Sequence, residues 1–437
     1  MDKKLIKPKE LKFLNSLKNK PIIIWGARMT GLGLLRFSKK HNLKLVGYVD
    51  GDPSLTDKTI GDHKIKLPNE IENLKKEYPD AVVVVAAALK EDEIITSIQK
   101  MGIEENNIIN YSEFSECFFT IDIVGQCSLK CPSCAQSLAE IKNPMGTMKL
   151  EDFKKVIAKI KNEVDLVTHV ALYSWGEPLL HKDLHLIIEH LHKEGIAAAV
   201  SSHLSIPSES QIQNLIKAAP EYLKISTSGF YPDAYNSTHT GGDVNLVKSN
   251  MYKIKYLMER YKSKIYVDVN YHLYKNNVGE DLEMMEKLCD ELGFGLSTTY
   301  PVVFPVERCM DYLEGKKNGK DLAELSKLLL VNIDEGLQIT KNYRNQPCRY
   351  LTNQININWD RSVPLCCVTF DRQKNSSIIS KDFLKESLKS LDEKKRDHSL
   401  CSKCTKLGIP PYQLGVNLKG WDEKAKENSE IFAKKLR

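Results

Sequence analysis

The chain has 437 residues, a net charge of +6, 42% hydrophobic residues and 27% charged residues. That length supplies two or three domains with full cores, and the composition excludes a disordered or collagen-like protein. The longest apolar run, 81–89, is too short to span a bilayer, and the lysines alternate with acids along helical stretches such as 151–163, which argues against nucleic-acid or membrane partners.

Residues 1–8 lack a continuous apolar segment, so no secretion signal is read there and a cytoplasmic location is expected. Eleven cysteines in a reducing compartment point to metal ligands or catalytic thiols before disulfides. No repeat of solenoid length stands out beyond a β/α alternation.

Residues 1–112 are expected to form a first α/β domain, with strands at Ile22-Ile23-Ile24-Trp25, 44–49 and 81–85 and a helix near 32–41. Between the first strand and the helix lies Gly26-Ala27-Arg28-Met29-Thr30-Gly31, and the second strand ends in Asp50. This is the layout of a dinucleotide fingerprint, in which glycines let backbone approach a pyrophosphate and an acid meets a ribose hydroxyl. Gly26, Arg28, Gly31 and Asp50 are therefore candidate cofactor-binding residues. Arg28 stands where the middle glycine belongs, and its guanidinium offers a phosphate contact of its own. A ligand-free structural domain suits the same degenerate loop, so two readings stay open. With Val46-Gly47-Tyr48-Val49-Asp50-Gly51-Asp52-Pro53 closing the second strand, the segment resembles small Rossmann-like domains fused to enzymes of surface-polysaccharide and sugar-nucleotide metabolism. A nucleotide or nucleotide-sugar ligand is what that resemblance implies.

Next comes an apolar strand, Phe118-Phe119-Thr120-Ile121-Asp122-Ile123-Val124, followed by Cys127-Ser128-Leu129-Lys130-Cys131-Pro132-Ser133-Cys134. Three thiolates packed this tightly on a loop can converge on one soft metal centre, and an odd number leaves a coordination position for something other than protein. An open position suggests chemistry. A structural zinc site wants a fourth Cys or His nearby, and none follows before His169. A helix with apolar Leu150, Phe153, Val156, Ile157, Ile160 and Val164 then leads into a strand over 167–173 that ends in Ser174-Trp175-Gly176-Glu177-Pro178. A carboxylate such as Glu177, with backbone beside it, suits a cation. Isolated cysteines such as Cys117 and Cys289 read as core packing.

Cys-x3-Cys-x2-Cys after a first strand, with Gly-Glu-Pro after the second, resembles the radical SAM superfamily. The resemblance implies a partial (β/α)6 barrel over 113–335, a 4Fe-4S cluster held by Cys127, Cys131 and Cys134, and S-adenosylmethionine on its fourth iron. It also sets Trp175, Gly176, Glu177 and Pro178 beside the methionine ammonium group. Ser133 departs from the family, which carries an aromatic residue there against the adenine. Further strands are expected at 197–202, 223–228, 265–273 and 295–300, and the helix over 243–261 shows core spacing at Leu246, Met251, Ile254, Leu257 and Met258. Ligands of such barrels gather at the C-terminal ends of the strands. By the resemblance, Ser202 and Ser226 contact the ribose and carboxylate of S-adenosylmethionine, while His203 reads as a surface loop residue.

The remaining cysteines, Cys348, Cys366-Cys367 and Cys401-Ser402-Lys403-Cys404, suit zinc or a second iron-sulfur cluster. With Asn358-Trp359-Asp360-Arg361 between the first two, the region 336–410 resembles the auxiliary-cluster part of SPASM and twitch radical SAM enzymes. That branch usually has Gly where Arg361 stands, five residues before the ligating cysteine, which favours Cys366 and leaves Cys367 as the alternative. One auxiliary 4Fe-4S cluster on Cys348, Cys366, Cys401 and Cys404 is implied, and 411–437 reads as a charged tail. The fold class expected for the whole is α/β: an N-terminal Rossmann-like domain, a partial (β/α)6 radical SAM barrel and a small C-terminal auxiliary-cluster region.

The resemblance further implies hydrogen abstraction from substrate by a 5′-deoxyadenosyl radical, with an electron donor such as flavodoxin or ferredoxin as partner. Two analogies lean toward carbohydrate biosynthesis: the company of the first domain, and similarity to single-auxiliary-cluster dehydrogenases of aminocyclitol biosynthesis. The leading expectation is an oxidoreductase or epimerase acting on a sugar, nucleotide sugar or cyclitol, and the alternative is a maturase modifying a peptide or protein side chain. Cys309, just past the last barrel strand, is the candidate hydrogen donor for epimerisation, and a buried thiol is its other reading.

Overall fold

The computed structural model describes residues 6–87, 90–115, 117–138, 140–316, 320–372 and 377–430. Residues 1–5, the last two of the run 81–89 and the last seven of the expected tail lie outside the described residues.

The first sheet contains β1 (Ile22–Trp25), β2 (Leu45–Val49), β3 (Thr59–Ile60), β4 (His63–Lys66), β5 (Val82–Val85) and β6 (Ile108–Asn110) in the order β3-β4-β2-β1-β5-β6. All neighbours pair in parallel except β3 with β4, a short antiparallel edge. The four consecutive valines of β5 and all of β1 are buried, as continuous apolar runs at the centre of a parallel sheet should be. The helix expected near 32–41 runs from Met29 to Lys40, because Arg28 already ends the extended segment at φ −112°.

The second sheet is wholly parallel and has seven strands: β7 (Phe118–Asp122), β8 (His169–Ala171), β9 (Ala197–Ser202), β10 (Tyr222–Thr227), β11 (Tyr266–His272), β12 (Gly295–Thr299) and β13 (Gln354–Asn358). Their order is β12-β11-β10-β9-β8-β7-β13, so the six expected strands stand side by side and a seventh joins β7 from the C-terminal region. A small hairpin, β14 (Val363–Pro364) with β15 (Ile378–Ser380), follows it.

One face of this sheet is apolar and lies under helices: Phe119, Ile121, Val170, Val200, Leu223, Ile225, Val267 and Val269 belong to a single core. The alternate residues line the opposite face, called the lumen face below. There the ladders align Asn358 with Asp122, Ser201 with Lys224, and Lys224 with Asp268. One level toward the strand C-termini, Ser226 pairs with Asn270 and Asn270 with Ser297.

The N-terminal domain closes the bottom of this sheet. Phe13, Leu32 and Leu34 share a buried cluster with Ala171, Ala199, Tyr222 and Tyr266 of the lumen face. Gly33 lets the helix Met29–Lys40 come close, since a Cβ there would lie 2.9 Å from Thr168 Oγ1 and 3.1 Å from His169 Cβ. At the other end of the chain, the segment expected as a charged tail carries the helix Leu418–Asn428 and buries Tyr412, Trp421 and Ala425 in the main core. The few inward positions are diluted among charges, which is why composition suggested a solvated tail. Among the described residues no helix is long and apolar enough to cross a membrane.

Candidate active site

The loop after β7 brings Cys127, Cys131 and Cys134 together, each partly buried. Burial pushes the Cys127 thiol up to about 12 and the Cys134 thiol to about 11, and it raises Cys131 as well, with the neighbouring thiols adding to the rise at Cys127 and Cys131. Three adjacent thiolates are stable there only with a compensating cation. Backbone is ready for the charged form: Leu129 N donates to Cys127 Sγ at 3.4 Å and Gln136 N to Cys134 Sγ at 3.5 Å. Among the described residues no three His, Cys, Asp or Glu side chains converge tightly enough for a single metal ion. In a cluster each thiolate binds its own iron, so the three sulfurs need not meet at one point.

The segment Trp175 to Pro178 is clamped against that loop. Glu177 N donates to Gln126 O at 2.9 Å, and a Cβ on Gly176 would lie 1.7 Å from Val124 O, so only glycine fits. Asp122, 5% exposed at the end of β7, accepts from Trp175 N at 3.1 Å and Gly176 N at 3.2 Å. Burial raises its pKa to about 6, against the pull of those N–H groups. The reading of the sequence missed Asp122, although a carboxylate ending an apolar strand is the signal it leaves.

Glu177 is buried and uses both oxygens: Oε1 accepts from Leu179 N at 2.9 Å, and Oε2 from His203 N at 3.0 Å. The His203 ring lies 3.3 Å from the same Oε2 and 3.2 Å from Ser128 Oγ. His203 is thus no surface residue, contrary to expectation: at 7% exposure it ties the end of β9 to the cysteine loop. The Trp175 ring packs edge-on against Phe304 and Phe370, and Pro178 opens the short turn that follows. Ser133, the departure from the aromatic residue, hydrogen-bonds Tyr274 OH at 2.8 Å.

Ser226 and Ser202 part company. Ser226 Oγ lies 3.3 Å from Ser201 Oγ on the lumen face, whereas Ser202, level with Ile225, is buried on the helix side and accepts from Leu204 N at 2.9 Å. Ser201 is therefore the partner that alternation selects.

The C-terminal cysteines form a second centre. Cys348, Cys366, Cys401 and Cys404 line one cavity together with Lys395 and Tyr350, and Cys367 is absent from its lining. Lys395, 4% exposed, donates to Tyr350 O at 2.8 Å and Gln354 O at 2.6 Å. Four thiols around a cavity with a buried cation at its wall fit a fully ligated anionic cluster. Arg361, with φ +69°, turns the chain between β13 and β14 and pairs with Asp152 at 2.8 Å and Asp382 at 3.3 Å. The family's glycine at this position is explained by that left-handed backbone. Of the two readings of Cys309, the structure shows the buried thiol. It is fully buried in the main core with Tyr412, and burial pushes its thiol up to about 12. A thiol enclosed in this way has no path to a substrate in the lumen.

The glycine loop of the first domain is satisfied from within. Asp50 accepts from Ala27 N at 2.8 Å and from Asp52 N at 3.0 Å, and Arg28 pairs with Asp52 at 2.7 Å. Gly26 takes φ +121°, and Gly31 O accepts from Tyr48 OH at 3.0 Å.

A parallel sheet with a three-cysteine loop clamped to a Gly-Glu-Pro turn at its C-terminal edge defines the class. Residues 121–289 match the Radical SAM superfamily, and residues 18–109 match the family described as C2185-like, N-terminal. The chain thus carries a radical SAM segment over 121–289 behind a C2185-like segment over 18–109. It is 27% identical over 135 residues to a probable GTP 3′,8-cyclase of Methanococcus maripaludis strain C5, a stretch covering 31% of this chain and 44% of that protein. The match thus spans less than half the length of that curated relative. Among solved structures, Streptococcus suis SuiB bound to S-adenosylmethionine aligns with a TM-score of 0.46 at 13% identity, covering 74% of this chain and 76% of that one. Native anSMEcpe with bound AdoMet aligns with a TM-score of 0.43 at 16% identity, covering 67% of this chain and 88% of that one.

Proposed function

We propose that the enzyme abstracts a hydrogen from a sugar, nucleotide sugar or cyclitol, and so oxidises or epimerises it. The observation that carries this reading is the lumen wall: Ser201, Ser226, Asn270, Ser297 and Thr299 supply neutral hydroxyl and amide groups on adjacent strands. Asn270 Nδ2 already donates to Ser297 Oγ at 3.1 Å and Thr299 Oγ1 at 2.9 Å, a pattern that polyhydroxylated ligands can enter by exchanging partners.

In this reading Cys127, Cys131 and Cys134 hold the first 4Fe-4S cluster, and Cys348, Cys366, Cys401 and Cys404 hold an auxiliary one. When bound, the first cluster and S-adenosylmethionine supply a 5′-deoxyadenosyl radical, and the auxiliary cluster supplies an electron acceptor. The chain's own residues position and exclude. Glu177, held by Leu179 N and by His203, presents a fixed carboxylate region toward the methionine ammonium, while Trp175, Gly176 and Pro178 shape the turn. Ser201 and Ser226 offer hydroxyls to the ribose. The N-terminal domain seals the lumen from below and keeps bulk water from the reacting carbon. Its glycine loop, with Asp50 and Arg28 already partnered, serves as structure in this reading and not as a nucleotide cradle. Electrons for the first cluster come from a flavodoxin or ferredoxin.

The test is deuterium transfer into 5′-deoxyadenosine by anaerobically reconstituted enzyme, with deuterated sugar-nucleotide and peptide pools offered separately. Label arriving from the sugar pool alone supports the proposal. Label arriving only from peptides replaces it with the maturase reading.

A further inference from the structure

On the lumen face stands a cation, Lys224, that makes no ion pair among the described residues. Lys224 is the central residue of β10, and the ladders place Ser201 on one side of it and Asp268 on the other. Its neighbours above and below on the same face are Ser226 and Tyr222. The ammonium group lies 4.8 Å from the centre of the Tyr173 ring, and among the described residues no carboxylate oxygen is within ion-pair distance of it. Half-buried lysines are ordinarily paired, since burial of an uncompensated charge is costly.

Asp268 does not supply the missing charge. Its Oδ2 accepts from Tyr222 OH at 2.5 Å and from Ser297 Oγ at 3.1 Å. Its field falls on Arg28, which the N-terminal domain presents from below: burial disfavours the guanidinium charge, and Asp268 leads the groups that restore it. The domain's approach is fixed by Tyr173 OH, which donates to Met29 Sδ at 3.5 Å. Asp268 thus lies within the field of Arg28 at the floor of the lumen face, and Lys224 stands on the same face with Ser201 as its ladder partner and Ser226 two residues along the strand. His272, further up the same wall, adds no charge, because burial first and Lys224 second lower its pKa to about 4.

We propose that Lys224 anchors an oxyanion, phosphate or carboxylate, carried by the substrate. This rests on the reading that the substrate occupies the lumen, and it narrows the substrate to an anionic one. The distance between the anchor and the cysteine loop then sets which carbon meets the radical: the anion sits at the level of Lys224, and the reacting carbon lies toward the C-terminal edge of the strands.

The experiment compares wild type, Lys224→Met and Lys224→Arg as reconstituted full-length enzymes in the presence of S-adenosylmethionine. Binding of UDP-glucose, glucose 6-phosphate, a glutamate-rich peptide and uncharged glucose is measured by calorimetry. The expected result is that a phosphate or carboxylate probe binds better than glucose, that Lys224→Met weakens it by about 10- to 100-fold, and that Lys224→Arg restores most of the loss. The two phosphate probes and the peptide distinguish the source of the anion. Iron content and melting temperature report folding separately. Because the methionine replaces an unpaired charge, Lys224→Met should melt no lower than wild type, which a merely structural lysine would not allow. Binding of all probes no tighter than glucose, or anion binding unchanged in Lys224→Met, overturns the proposal. Failure of the wild type to form 5′-deoxyadenosine from reductant and S-adenosylmethionine would instead strike the parent reading, and it is scored apart.

Discussion

A methyl group at position 176 would meet the carbonyl oxygen of Val124 at 1.7 Å, and no rotamer relieves a contact made by Cβ with backbone. Gly176→Ala must therefore push the Trp175–Pro178 turn away from the cysteine loop, while the buried core beneath stays untouched. Affinity for S-adenosylmethionine is expected to fall by at least about tenfold, as misplacement of a positioning turn costs, with melting temperature reporting the fold independently. Undiminished affinity would show that the turn's position is not what binds the ligand. Glu177 and the three cysteines were legible in the sequence because each lies on a contiguous motif. Asp122 and His203 were not, because their partners are reached only after folding: Trp175 N lies 53 positions from Asp122 and Glu177 lies 26 from His203. The confusion of Ser202 with Ser201 has a different origin. A strand alternates with period two, so an error of one residue in phase moves a side chain to the opposite face.

Elements short in sequence but long in reach were the ones sequence reading passed over. Gln354-Ile355-Asn356-Ile357-Asn358 alternates polar and apolar residues, yet its place as a seventh strand depends on pairing with β7 across more than two hundred residues. The turn that leaves this strand invites a test. Arg361 holds φ +69°, which costs a non-glycine residue about 1–2 kcal/mol, and its partly exposed pairs with Asp152 and Asp382 return about 0.5–1 kcal/mol. Arg361→Gly is thus expected to leave unfolding free energy within about 1 kcal/mol of wild type, whereas Arg361→Val, which keeps the strain and loses both pairs, should be clearly destabilised. Equal losses for the two variants would mean that the ion pairs dominate. The helix Leu388–Arg396 offers a second test, since it delivers Lys395 to the carbonyls of Tyr350 and Gln354 at the wall of the four-cysteine cavity. Lys395→Met leaves both carbonyls without that donor and removes the cation facing the thiolates. On the proposed two-cluster assignment, iron falls from about eight per chain toward about four, the quota of a single cluster. A retained eight would remove Lys395 from the support of the auxiliary site.

At the scale of the whole molecule, the N-terminal sheet region and the seven-stranded sheet share one buried cluster, and small residues set how closely they approach. Gly33, Ala171 and Ala199 permit the helix Met29–Lys40 to lie against the strands, and Thr168 and His169 fill the seam. The domain alternation was visible as strand and helix periodicity, but which face would meet which was not, since docking is decided by the absence of side chains as much as by their presence. His169 is the titratable member of this seam. It is 8% exposed, packs with its ring tilted 5.4 Å from the Phe118 ring and lies 3.2 Å from Thr168 Oγ1, and burial lowers its pKa to about 4. An unfolded histidine titrates near ~6.5, so the unfolded chain binds the extra proton first as pH falls. The stability contributed by neutral His169 is complete above about 6.5, declines through the interval below it and is lost near about 4. A fully realised shift corresponds to a loss on the order of 3 kcal/mol. His169→Gln keeps a polar neutral group in the seam and removes the titration. The melting temperature of wild type should therefore drop more steeply between pH 7 and pH 5 than that of His169→Gln, and parallel curves would mean that the seam opens to protonate without cost.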